Sequence, residues 1–227
     1  MKKGTLILVL VMVFSLFITG FVQAQLTNEE IKIDRCMAVL AEMASSEDQA
    51  GALSQLLGKA EGIVIYPRLV NIGWGLGIMF GDGIVLRKDR LTQEWYGPAF
   101  IEVKTGSVGL QAGIQEVSLV LVLMDEKGLG VFKKTDFEIG ADISIAPGPL
   151  GDSLQANVDF NDSIYSYSYS KGIYAGFTLS GSVIHADTKA NRNFYGESIT
   201  SEEIMNNQKV NNEVTLKLVQ MIEQMSQ

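Results

Sequence analysis

GWGLGIMFGDG, residues 73–83, sets five glycines around a tryptophan and a phenylalanine. A dinucleotide-binding loop would need Gly-x-Gly-x-x-Gly between a strand and a helix, with an acidic residue about twenty positions later. Here Gly73, Gly75 and Gly77 recur at period two and lead into Gly81-Asp82-Gly83, a hairpin signal with another strand-like run behind it. Gly83 is followed by Ile84-Val85 and not by the Lys-Ser or Lys-Thr that a P-loop needs there, so the phosphate-cradling reading fails and no nucleotide is expected. Read as a strand, the stretch puts Gly73, Gly75 and Gly77 on one face and Trp74, Leu76 and Ile78 on the other. A strand glycine costs about 0.5–1 kcal/mol relative to alanine, so a bare track implies close approach of a backbone, helix or ligand, or a bend. Related spacing recurs at Gly109 with Gly113, and at Gly172, Gly176 and Gly181.

The same period extends outward. From Gly62 to about Asp187 the chain is β-branched, aromatic and glycine-rich, with turn signals every eight to twelve positions. Predicted strands are IVIYP, IGWGLGIMF, GIVLRK, WYGPAFIEV, SVGLQAGIQ, VSLVLVLM, LGVFK, FEIGADISIA, SIYSYSYS and GIYAGFTLSGSVI; MDEKG (124–128) reads as a hairpin turn and APGPLGD (146–152) as a loop. In YSYSYS, 165–170, alternation gives a row of tyrosines either at a core edge or along a lipid contact.

Helical patterns flank this region. Thr27-Asn28-Glu29-Glu30 has capping-box spacing ahead of Ile31, Ile33, Met37, Val39, Leu40 and Met43. GALSQLLGKAEG reads as a second short helix after the polar SSEDQ. Thr200-Ser201-Glu202-Glu203 repeats the box before a closing helix that the Asn pairs 206–207 and 211–212 can break. Strands grouped between helices specify an α+β fold: an antiparallel, glycine-rich sheet, or a partly closed barrel-like one, with N-terminal and C-terminal helices.

Lys2 and Lys3, the apolar run Leu6–Ile18 and the small-residue end Val22-Gln23-Ala24 read as a secretory signal peptide over residues 1–24. Residues 25–227 then form a single domain, exported to the periplasm or beyond; no cysteine stands at the cut, against a lipoprotein. The chain of 227 residues carries a net charge of −8, which removal of Lys2 and Lys3 takes to about −10, so bare nucleic acid is not an expected partner. Cys36 is the only cysteine and His185 the only histidine. Neither has a spacing that suits a metal or a catalytic pair, so no metal, cofactor or catalytic residue is expected.

Several runs together carry a resemblance: KAEGIVIYPRL, GWGLGIMFGDGIVLRKD, EWYGPAFIEVKTGSVGLQAGIQ, IGADISIAPGPLG, SYSYSKGIYAGFTLSGSVI, NFYG and SEEI. In this order, over roughly residues 35–205, they resemble the SYLF family, a lipid-binding module of eukaryotic actin-patch and membrane-ruffle regulators and of many bacterial secreted proteins. The resemblance implies binding of phosphoinositide or other anionic phospholipid, and actin binding in the eukaryotic members. It departs from them in an N-terminal helix that is net acidic rather than basic.

A lipid-facing surface needs cations for headgroups or exposed apolar area. Arg87, Lys88 and Arg90 supply three cations at one expected hairpin end, Lys133 with Lys134 and Lys189 with Arg192 supply fewer, and Trp74, Trp95 and Tyr96 are the aromatic candidates. The expected function is that of an exported, non-enzymatic protein binding anionic phospholipid at a membrane surface. Three alternatives stay open: a scaffold or protein-interaction module of the envelope, an outer-membrane β-barrel, and an enzyme built on Asp82, Glu94, Asp142 or Asp152.

Overall fold

The computed structural model describes residues 26–45, 50–149, 161–169, 179 and 181–227. Two helices, α1 (Asn28–Ala44) and α2 (Ala50–Lys59), precede two long strands, β1 (Gly62–Lys88) and β2 (Trp95–Leu123). Then come α3 (Glu126–Phe132), β3 (Asp136–Glu138), β4 (Ala146–Pro147), β5 (Ile164–Tyr169) and β6 (Val183–Ala186). Three helices close the chain: α4 (Thr188–Tyr195), α5 (Ser201–Asn207) and α6 (Glu213–Met225).

Helix α1 starts where its capping box does. The Thr27 hydroxyl accepts from Glu30 N at 3.2 Å and the Glu30 carboxylate accepts from Thr27 N at 2.9 Å, which satisfies two otherwise orphaned donors. That backbone bond, with help from Asn212, holds the Glu30 carboxyl below its ordinary range. Thr200 and Glu203 repeat the arrangement at α5. The closing segment divides as the asparagines suggested, because the Asn212 side chain caps α6 by accepting from Val214 N and Thr215 N.

β1 and β2 form one antiparallel ribbon, in register from Gly62↔Leu123 to Lys88↔Trp95. Six of the predicted strands thus merge into two. Gly81-Asp82-Gly83 is not a turn, since the ladder runs through it as Gly81↔Val103, Asp82↔Glu102 and Gly83↔Ile101. Its glycines serve close approach instead. A Cβ on Gly81 would lie 2.4 Å from Arg68 O, and one on Gly83 would lie 2.6 Å from the Tyr66 ring and 2.9 Å from Ile65 O. Lys88 N donates to Glu61 O at 2.7 Å, so the late half of β1 curls back over its early half. The bend coincides with glycines facing each other across the ladder, Gly73↔Gly113 and Gly75↔Gly109, with an irregularity between them and a positive φ of 132° at Gly113.

The remaining strands extend both ends of β2. β5 pairs with residues 118–123 and β6 with residues 101–103, and β3 pairs in turn with β6, all antiparallel. Among the described residues β4 beside β5 is the one parallel strand pair. Elsewhere the period-two reading overreaches. MDEKG and LGVFK form helix α3, because Asp125 acts as an N-cap, accepting from Gly128 N at 2.8 Å, and a side chain on Gly128 would collide with Ser163 O at 2.5 Å. FEIGADISIA is strand only at its ends, in β3 and at Ala146 of β4, where the loop expected over 146–152 begins as a short strand; between them the Asp142 carboxylate turns the chain by accepting from Glu138 N at 2.8 Å. Most of GIYAGFTLSGSVI lies outside the described residues. Helix α4, absent from the sequence reading, is capped by Asp187, which accepts from Ala190 N at 2.9 Å.

Two cores result, one on each face of the curled sheet. Ile63, Ile65, Ile84, Leu86, Val120 and Val122 meet α1, α2 and α6 through Leu40, Met43, Leu53, Leu56, Leu218 and Ile222. On the other face Val64, Tyr66, Leu69, Val85, Ile101 and Leu121 pack with Phe132, Ile204 and Met205 of α3 and α5. Each fully buried aliphatic side chain contributes about 1.5–3 kcal/mol relative to exposure. Cys36 is part of the first core, and burial pushes its thiol up, out of the reactive range. Tyr165 and Tyr167 also belong there, so the tyrosine row covers a core edge.

One buried polar contact ties α4 to the sheet: the Asn191 amide accepts from Phe100 N at 2.8 Å and donates to Phe100 O at 3.3 Å. Asn191→Ala is expected to lower stability by about 2 kcal/mol, because it strands a buried donor. Chemical denaturation at unchanged slope is the check; a loss within error of zero would show that the contact does not hold α4.

Candidate functional site

Cationic and aromatic candidates of the sequence meet at one end of the ribbon. Arg87↔Tyr96 and Lys88↔Trp95 face each other across the ribbon, next to the turn at 89–94. Arg87 donates to Met205 O at 3.2 Å and to the Asp89 carboxylate at 3.0 Å, with its guanidinium 5.1 Å from the Tyr96 ring centroid. Arg90 donates to Met124 O at 2.7 Å and Lys59 O at 3.1 Å and pairs with Glu61 at 3.2 Å. The Lys88 ammonium lies 5.6 Å over the ring of Trp95, whose buried indole N–H donates to the Glu223 carboxylate at 3.1 Å. The Tyr96 hydroxyl donates to Glu94, which also pairs with Lys209.

The sequence therefore brings five of its candidates together, but the donors of Arg87, Arg90, Trp95 and Tyr96 are engaged within the fold. Arg87 fastens α5, Arg90 joins the turn to the ends of α2 and β2, and Trp95 fastens α6. Burial holds the Glu61 carboxyl above its ordinary range, against the pull of Arg90. Lys133 and Lys134 stand elsewhere, after α3, paired with Glu126 at 3.3 Å and Asp142 at 3.5 Å. The side chain of Trp74 lies outside the described residues.

The other end of the ribbon is different. Helices cover the α1 face of the sheet at Ile63, Ile65, Ile84 and Leu86, yet the same face continues past them. There Ile72, Ile78, Phe80 and Ile114 are exposed, Ile78 at 62% and Ile114 at 73%. Ile72↔Ile114 are direct cross-strand partners, and the even-numbered positions from 70 to 86 put Ile78 and Phe80 on the face that carries Ile84 and Leu86. A groove of about 800 Å³ runs from this strip to helix α1, lined on the helix by Lys32, Arg35, Val39 and Glu42. Val70, Phe80, Ile114, Val117 and Tyr169 line the sheet side, with Arg68, Asp82 and Glu116 at its charged margin. The volume falls within the range of small-ligand sites.

Its electrostatics are balanced. Arg68 pairs with Glu116 at 2.7 Å, and Lys32 lies 3.7 Å from Asp82 and 3.3 Å from Asp187. Arg35 is exposed and makes no ion pair among the described residues. Close by, carboxylate oxygens of Asp82, Glu102 and Asp187 come within 4.8 Å of one another, a donor set that can hold a cation. Lys32 and Lys104, the latter 2.7 Å from Glu102, already supply positive charge to it. Of the other acids weighed for catalysis, Glu94 and Asp142 are bound to lysines, and Asp152 lies outside the described residues. His185 pairs with Asp136 at 2.6 Å on the surface.

The apolar strip was half legible. Alternation in IGWGLGIMF does set Ile78 opposite the glycine track, but nothing in the sequence marks where helical cover ends. Lys32, Arg35 and Arg68 were missed because they are isolated in sequence and gather only when α1 crosses the sheet.

Comparison with known proteins bears on about two thirds of the chain. The family model Ysc84, described as "Las17-binding protein actin regulator", matches residues 104–225. The chain is 30% identical over 156 residues to SH3 domain-containing YSC84-like protein 1 of Bos taurus, covering 67% of this chain and 45% of the relative. It is 28% identical over 155 residues to Protein YSC84 of Saccharomyces cerevisiae, covering 66% of this chain and 33% of the relative. LAS seventeen-binding protein 3 of the same yeast is 27% identical over 155 residues, at 66% and 33%. The chain thus spans less than half the length of these relatives. No solved structure matches it.

Proposed function

Because the chain belongs to the Ysc84 family, the SYLF family whose motifs it carries, we propose that it is an exported, non-enzymatic protein that docks on phospholipid surfaces. The ribbon end carrying Ile72, Ile78, Phe80 and Ile114 enters the boundary between headgroups and acyl chains. Arg35 and Lys32 of α1 take anionic headgroups at the rim. The export part of the reading rests on Lys2, Lys3 and the apolar run that follows them. No helix among the described residues is long and apolar enough to cross a membrane.

One observation supports the docking surface above the rest: Ile72, Ile78, Phe80 and Ile114 are exposed on one face of the sheet, beside the exposed Arg35 of helix α1. Such patches are where soluble proteins meet membranes or partners. The attraction is mainly apolar, because Lys32 and Arg68 reach the rim already paired with carboxylates.

The test is co-sedimentation of residues 25–227 with vesicles of phosphatidylglycerol, cardiolipin, phosphatidic acid or neutral lipid, at low and at physiological salt. Binding is expected to all anionic vesicles, strongest at low salt and only partly lost at physiological salt. A folded protein that ignores every vesicle would overturn the reading. It would leave a protein-interaction module, the role that its name attaches to LAS seventeen-binding protein 3.

A further inference from the structure

The same apolar end has a second physical property, the self-complementarity of its rim. Arg68 stands with Glu116, Lys104 with Glu102 and Lys32 with Asp82, at 2.7, 2.7 and 3.7 Å. Lys104 is the cross-strand partner of Phe80, and Glu102 that of Asp82, so these charges border the strip. Three cations and three carboxylates, joined in pairs, therefore border the exposed isoleucines, in a chain whose net charge is −8. Over most of this surface two copies repel each other; over this patch they do not.

We infer that the occupant of the strip in solution is a second copy of this chain, joined face to face about a two-fold axis, and that this pairing competes with phospholipid docking. A two-fold interface needs one patch to match itself, with each charge able to meet its opposite across the axis. A rim of paired opposite charges does this: Arg68 of one copy is placed to reach Glu116 of the other while the isoleucines close at the centre. A purely cationic rim would not, and a purely acidic one would repel. Water-exposed isoleucines at 62% and 73% supply the driving force. The pairing stands on the geometry alone, whereas the competition rests on the docking reading above. Its consequence is a guarded surface: the apolar strip is covered in solution and released where lipid offers a better partner.

Sedimentation equilibrium of the mature chain over a wide concentration range, with and without phosphatidylglycerol vesicles, tests both parts. The expected result is a monomer–dimer equilibrium that Ile114→Asp weakens about tenfold or more, as loss of a central anchor does. Leu216→Asp, at an exposed position on α6, should leave it unchanged. Vesicles should draw the wild-type protein out of the dimer. A monomer at every concentration would overturn the pairing and leave lipid docking standing. A dimer indifferent to Ile114→Asp would overturn the interface. A dimer that stays intact on vesicles, or that forms in a protein binding no vesicle, would overturn the competition.

Discussion

Gly81→Ala is expected to lower the unfolding free energy by about 3 kcal/mol, at the upper end of what overpacking costs. The usual effect of this change in a strand has the opposite sign, since alanine is favoured over glycine there by about 0.5–1 kcal/mol. Position 81 differs because its missing side chain is occupied space. The added carbon would sit 2.4 Å from Arg68 O, 2.7 Å from Leu69 Cδ2 and 3.2 Å from Leu69 Cα. Leu69 can shift its methyl, but the Arg68 carbonyl is backbone at the irregularity between Tyr66 and Leu69, held on both sides by the ladder, so relieving the contact pushes the two halves of β1 apart. Gly106→Ala in β2 is the control, because a Cβ there meets nothing within 4 Å. Urea unfolding of both variants decides the matter. Equal midpoints would mean that the curl of β1 does not depend on contact at Gly81.

The double change Ile78→Asp with Ile114→Asp is expected to reduce vesicle binding by about a hundredfold or more while leaving the fold intact. Burying one isoleucine side chain is worth about 1.5–3 kcal/mol, so losing two removes most of the apolar term. Both replacements also bring a carboxylate toward anionic headgroups. The exposures of 62% and 73% mean that little native packing is lost, and stability should stay within about 0.5 kcal/mol. Lys133→Glu with Lys134→Glu makes the informative comparison, since these cations are paired after α3, away from the strip. Vesicle binding that falls with the lysine variant and survives the isoleucine variant would move the docking surface to the other location.

How the chain divides between what was legible and what was not follows from the range of the forces involved. Caps are local. Thr27 with Glu30 and Thr200 with Glu203 bond across three residues, so the spacing alone placed the starts of α1 and α5, and the asparagine pairs marked where the closing helix breaks. Period-two alternation is local too, and it correctly marked both strands of the ribbon and the two-sidedness of the tyrosine row.

Tertiary contact decided the rest. Gly81-Asp82-Gly83 is as good a turn as a strand by its own chemistry, and the nearness of Arg68 and Ile65 selected the strand. MDEKGLGVF became helix α3 because the Asp125 cap and the close fit of Gly128 against Ser163 outweighed β propensity. Arg87 and Arg90 read as free cations until the fold gave them the carbonyls of Met205, Lys59 and Met124.

The candidate site shows the division most plainly. Ile78 and Ile84 are the same residue type on the same face of the same strand, six positions apart, yet Ile84 is 0% exposed and Ile78 is 62% exposed. By itself the sequence determined which side chains share a face of the ribbon, because side-chain direction alternates with the backbone. Only the tertiary structure decided which part of that face is buried, because burial depends on how far the helices packed across the sheet reach along it.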